Sequence, residues 1–140
     1  MRRIMRIFAV SAAATSAKAS GTSAVTVATW RAAADGRLRA WEDSAAGSLA
    51  LVLVLDQFPL NMYRGTARAF TTDGAALAAA KSAIARGWDL RIDEPARQFF
   101  YLPLMHSECL VDQDRAVRLI MTRMPETGES NLLHAKAHRE

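Results

Sequence analysis

This sequence predicts an all-α protein, an antiparallel array of short helical hairpins. Three observations lead there. Ala- and Leu-rich runs recur from about Val25 onward, Gly, Pro and Asp punctuate them at short intervals, and no alternating strand-like segment of useful length interrupts them. With 140 residues and 51% hydrophobic content, the chain suits one domain whose single core removes roughly two thirds of the unfolded surface from water. The expected division is a poorly ordered or non-native segment over 1–24 followed by one helical domain over 25–140.

The first element, TVATWRAAADG (26–36), stops at Gly36, and RLRAWEDSAAG (37–47) is expected to stop at Gly47, each glycine suiting the left-handed conformation that ends a helix. SLALVLVLDQF (48–58) follows, with Ser48 as candidate cap and apolar residues on every side, the mark of a central buried helix. A buried strand over Leu51–Leu55 is the rival reading, because Val52 and Val54 are β-branched; the helical surroundings favour helix. Pro59 is expected to break this helix by disfavouring helical geometry at Phe58.

After a loop through Gly65, TTDGAALAAAKSAIARG (71–87) offers Thr71, Thr72 or Asp73 as cap and Arg86-Gly87 as stop. DEPARQFFYLPLMHS (93–107) puts Pro95 in a first helical turn, where it is tolerated, and Pro103 where a helix must break. SECLVDQDRAVRLIMTRM (107–124) follows, with Ser107 as cap and Leu110, Val117, Leu119, Ile120 and Met124 as its apolar set. NLLHAKAHRE (131–140) begins a last helix.

The pI near 9.8 and formal charge of +4 do not point to nucleic acid once the charges are located. Seven basic residues (Arg2, Arg3, Arg6, Lys18, Arg31, Arg37, Arg39) and one acid, Asp35, fall in the first 40 positions, leaving 11 basic and 13 acidic residues in the rest. A nucleic-acid-binding body needs its cations on one folded face, not in a tail-like segment. No window approaches ~20 uninterrupted apolar residues, so no membrane span is expected. The one cysteine, Cys109, excludes an internal disulfide framework, suits a reducing, cytoplasmic compartment and reads as a buried structural thiol. The acid-free, Arg- and Ser-containing opening, with Ile7-Phe8-Ala9-Val10 and Ala17-Lys18-Ala19, has the outline of a targeting signal and keeps export as the alternative.

Three groups of residues have chemical potential, each with a structural counterpart. Asp56, Gln57, Asn61 and Arg64 surround Phe58-Pro59, either as one wall of a polar site or as caps for backbone groups that the proline exposes. In MHSE (105–108), Ser107 caps a helix and Glu108 complements the helix dipole in its first turn, which leaves His106 to act as general base or ligand, or as a hydrogen-bonded structural histidine. His134 and His138, four apart, share a helical face as zinc-binding histidines do, but Ala135 stands where the glutamate of HExxH would be, so neither a metal nor any other cofactor is expected. Phosphate-loop, dinucleotide-binding and serine-hydrolase motifs are missing.

The stretches LALVLVLDQFPLNMYRGTARAFTTD, FFYLPLMHSE and DQDRAV, in that order, resemble the bacterial domain of unknown function family 924 from about Trp30 to Glu140. The resemblance implies a tetratricopeptide-like helical fold and assigns no activity. It also implies arginine after the DQFP proline, where this chain has Leu60, and further helical segments at both ends, so that the chain would be truncated and its C-terminal domain incomplete. Apolar surface on Leu132 and Leu133 would then favour self-association.

The leading functional expectation is a pocket formed by Asp56, Gln57, Asn61, Arg64, His106 and Glu108 that binds a small polar or anionic ligand, with Arg64 as anion clamp. The alternatives are a hydrolase-type enzyme with His106 as base oriented by Asp56 or Glu108, and a protein-interaction scaffold.

Overall fold

The protein is seen in a computed structural model that describes residues 24–128. The expectations for the N-terminal segment up to residue 23, for the helix at 131–140, for Leu132 and Leu133 and for the His134–His138 pair lie outside the described residues. Among the described residues every regular element is helical: α1 (Ala24–Ala34), α2 (Ala45–Met62), α3 (Asp73–Ala85), α4 (Leu102–His106) and α5 (Leu110–Arg123). Single 3₁₀ turns at Arg39–Asp43, Ala67–Phe70, Trp88–Arg91 and Ala96–Phe100 connect them. The all-α expectation holds, and Leu51–Leu55 is helix rather than strand.

The centre of the fold is α2, which packs against α1, α3 and all four 3₁₀ turns. Residues Ser48 through Asp56 are all buried, so its run of apolar residues on every side reflects neighbours on every side. By length and composition alone α2 could cross a membrane, but 61% of it is buried inside the fold, as in the core helix of a globular domain. Its start corrects two expectations. The cap is Ser44, whose Oγ accepts from the Gly47 amide at 3.0 Å, whereas Ser48 Oγ donates to the Glu42 carbonyl at 3.3 Å. Gly47 ends no helix: it lies in the first turn of α2, where an added Cβ would sit 2.1 Å from the Trp41 carbonyl oxygen. Gly36 and Gly87 do take the left-handed conformation, with φ of 74° at each.

Pro59 does not break α2, which continues to Met62. Proline at this position removes the amide that would bond the Leu55 carbonyl four residues back. Thr72, just before α3, replaces it: its hydroxyl donates to the Leu55 carbonyl at 2.7 Å and accepts from Trp30 Nε1 of α1 at 3.0 Å. Trp30 and Thr72 are both buried, so one hydroxyl satisfies two polar groups that water does not reach. Thr72 is correspondingly not a side-chain cap of α3.

Pro103 lies in the first turn of α4, where its missing N–H costs nothing, and starts a helix instead of ending one. Before α5, Ser107 Oγ accepts from the Cys109 amide at 3.1 Å and donates to Asp112 Oδ2 at 2.8 Å, while Lys81 of α3 reaches Asp112 Oδ1 at 2.8 Å. The acid in the first turn of α5 is therefore Asp112, and Glu108 precedes the helix as an exposed residue. Ala116, Leu119, Ile120 and Met124 form the buried seam. Leu110 falls off that seam and is 62% exposed, contrary to expectation, and Cys109 is exposed as well. A second polar centre fastens the far end: Asp89, fully buried, accepts from Tyr101 Oη at 2.6 Å and Arg123 Nη1 at 2.7 Å. Burial, followed by the Asp89 bond, pushes the Tyr101 phenol far above its ordinary range.

Thr72→Val leaves the Leu55 carbonyl and Trp30 Nε1 without their partner, and each stranded group costs about 1–3 kcal/mol; urea denaturation should show the loss. Pro59→Ala returns an amide to the Leu55 carbonyl, so in the Thr72→Val background it recovers part of the loss, a non-additivity that a double-mutant cycle reads directly. Gly47→Ala forces Cβ into the Trp41 carbonyl and lowers stability by about 1–3 kcal/mol or more, the cost of overpacking a tight contact.

Candidate functional site

The last turns of α2, the start of α3 and the end of α4 enclose a cleft of about 930 Å³. Asp56 and Leu60 come from α2, Asp73, Gly74 and Leu77 from α3, and Pro103 and His106 from α4. Phe70 stands at its edge from the 3₁₀ turn, and Ser107 and Glu108 complete it from the turn before α5. Each polar group has a local cause. Asp56 falls one residue after Leu55, on a helix buried all round, so its carboxylate is carried inward and is 2% exposed. His106 is the last residue of a five-residue helix whose Pro103, Leu104 and Met105 are buried, and the Lys81–Asp112–Ser107 chain pins the turn behind it.

Across 50 residues of sequence, His106 Nδ1 meets Asp56 Oδ1 at 3.1 Å. The other carboxylate oxygen, Oδ2, accepts from Gln57 Nε2 at 2.8 Å. Burial alone would push the imidazolium to deprotonate more easily, but the hydrogen bond to Asp56 and the charges of Asp56 and Asp73 together hold His106 above the ordinary histidine value. Asp73 is raised too, first by burial and then by the charge of Asp56, with His106 opposing. Asp112 lies below the usual carboxylate range because Lys81 and Ser107 both bond it.

Of the six residues expected to form the pocket, Asp56, His106 and Glu108 line the cleft, and Gln57 supports it through Asp56. Asn61 and Arg64 are not among the lining residues; Arg64 Nη2 donates to Asn61 Oδ1 at 3.3 Å on the exposed side of α2's end. Because α2 continues through Pro59, the helical advance of about 100° per residue turns Asn61 away from Asp56, and Arg64 lies in the turn after α2 ends at Met62. Leu60, where the family pattern implies arginine, does line it. Sequence reasoning missed Asp73 and Leu77 as site residues. Their four-residue spacing puts them on one face of α3, the only signal available, and nothing in the sequence says that this face meets the end of α2. No group of three or more His, Cys, Asp or Glu side chains arranged to hold a metal ion occurs among the described residues.

NMR titration should find His106 above the ordinary value of about 6.5 in the wild type and lower in Asp56→Asn, where only the Asp73 charge is left to oppose burial. Since the folded-state value is raised, the pair's contribution to stability is complete below the unfolded value and is lost as pH rises through the folded one. His106→Gln should remove that segment of the stability–pH curve.

A family model for a bacterial protein of unknown function, DUF924, matches residues 13–140 of the chain. Among solved structures, a protein of unknown function from Agrobacterium tumefaciens is 43% identical, with a TM-score of 0.73, over 79% of this chain and 61% of its own. The chain thus spans less than two thirds of that protein's length. No curated protein matches it.

Proposed function

We propose that this chain, which belongs to the bacterial family of unknown function DUF924, binds a small polar ligand in the cleft beside the Asp56–His106 pair. The observation that carries this is a buried carboxylate paired with a histidine that is itself one-quarter exposed, at the wall of a cleft of about 930 Å³. A charge removed from water is costly to keep, and Asp89 is held by an arginine and a tyrosine that both donate to its Oδ2. Asp56 instead has a neutral amide and a titratable ring, partners that suit a group whose surroundings change when a ligand enters. Leu60, Phe70, Leu77 and Pro103 add the apolar surface that small-molecule sites use for affinity, with the polar groups fixing orientation. Residues 25–140 are taken as one functional domain in this reading.

A second reading, a hydrolase-type enzyme, is favoured by the Nδ1 bond from His106 to Asp56, the contact by which a carboxylate orients a general-base histidine. In that case Asp56 is the orienting group and Glu108, on the cleft wall, a further acid.

An NMR fragment screen tests the binding proposal. Hits should shift the signals of Gly74 and His106, and should be lost in Gly74→Leu, because a Cβ at Gly74 meets nothing within 4 Å and a larger side chain fills the cleft without displacing backbone. Hits that persist in Gly74→Leu would refute it. For the enzymatic reading, a panel of chromogenic esters, amides and phosphoesters should reveal turnover that falls at least ~10²-fold in His106→Gln, the usual share of general-base catalysis; equal turnover in both proteins would discard it.

A further inference from the structure

We infer that the cleft selects a small organic cation, an ammonium or amidinium group carried on an apolar body. The inference rests on the cleft-binding proposal and adds the chemical class of the ligand. Among the lining residues the ionisable groups are Asp56, Asp73, Glu108 and His106, with no lysine or arginine. Even with His106 fully protonated, two carboxylates are left uncompensated.

The cations nearest in sequence to Asp56 and Asp73 are engaged in other contacts. Lys81 pairs with Asp112 at 2.8 Å, Arg64 donates to Asn61, and the Arg68 guanidinium lies 4.7 Å from the Tyr63 ring centroid. Asp73 already feels the crowding, since the charge of Asp56 adds to burial in raising it. An incoming cation relieves that repulsion, whereas an anion adds to it. The cleft does not suit a bare metal ion, for no set of three or more ligating side chains is assembled there or elsewhere among the described residues.

The rest of the wall specifies the body of the ligand. Leu60, Leu77 and Pro103 are apolar, and Phe70, 60% exposed at the edge, offers a ring face for an alkyl or aryl group or for the cation itself. A volume of about 930 Å³ is far more than an ammonium alone would fill and falls within the range of pockets that enclose whole small molecules.

Three probes of matched shape, 2-phenylethylammonium, 2-phenylethanol and 3-phenylpropanoate, separate the outcomes in NMR titrations of the full chain. The ammonium should shift the Gly74 and His106 signals with an affinity at least ~10-fold above the other two, the scale of one charge-assisted contact. Asp73→Asn should reduce that preference, and so should Leu60→Arg, which puts a cation into the wall; Glu108→Gln, at an exposed position, supplies the same measurement should Asp73→Asn fail to fold. Equal or tighter cleft binding of the alcohol or the carboxylate overturns the cation class and leaves the cleft proposal standing. If none of the three disturbs the cleft signals at millimolar concentration, the inference falls, and the fragment screen then decides whether the cleft binds anything.

Discussion

A proline inside the central helix is the constraint on which the rest of this structure depends. Pro59 leaves the Leu55 carbonyl without its helical partner in the middle of the core, and an unpaired carbonyl there would oppose folding by more than a typical single contact supports. The fold meets the demand with one hydroxyl, Thr72, which must therefore lie against α2 and also receive Trp30 from α1. Three helices are registered by that single oxygen. Trp30 in turn packs on Tyr63, with ring centroids 5.3 Å apart, and so ties the end of α2 back to α1.

The same register builds the cleft. Asp56 is the residue after Leu55, and Asp73 the residue after Thr72, so the bond between Thr72 and Leu55 brings two carboxylates together as a direct consequence of backbone connectivity. Burial, and then the charge of Asp56, raises Asp73, and His106, delivered from α4, opposes that shift. Two of the three buried aspartates among the described residues thus have different settings. Asp89 is fully buried and bonded through Oδ2 by Tyr101 and Arg123, whereas Asp56 is bonded by an amide and a histidine at the wall of the cleft.

The legible part of the site was its chemistry by segment. Asp56 and His106 stood out because each interrupts an apolar run near a proline, and they do meet. Arg64 and Asn61 stood out for the same reason and are not among the lining residues, because α2 passes through Pro59 and turns Asn61 aside, and Arg64 comes after the helix has ended. Glycine was ambiguous in the same way: Gly36 and Gly87 end helices as expected, while Gly47 is required by the approach of the Trp41 carbonyl. A local rule for glycine or proline states what the residue permits, and a neighbour distant in sequence decides which permission is used.

What the sequence by itself determined was the helical class, the identity of α2 as the buried centre, and the ends of α1 and α3 at Gly36 and Gly87, since these follow from apolar periodicity and from backbone freedom at single residues. Tertiary structure alone decided that α2 survives its proline, because the compensating donor is Thr72, 17 residues away from Leu55 in sequence. It alone decided the sign of the cleft as well. Charge in a site depends on which side chains share a few ångströms, and the chain's net positive charge of +4 contains no trace of a cleft walled by Asp56, Asp73 and Glu108.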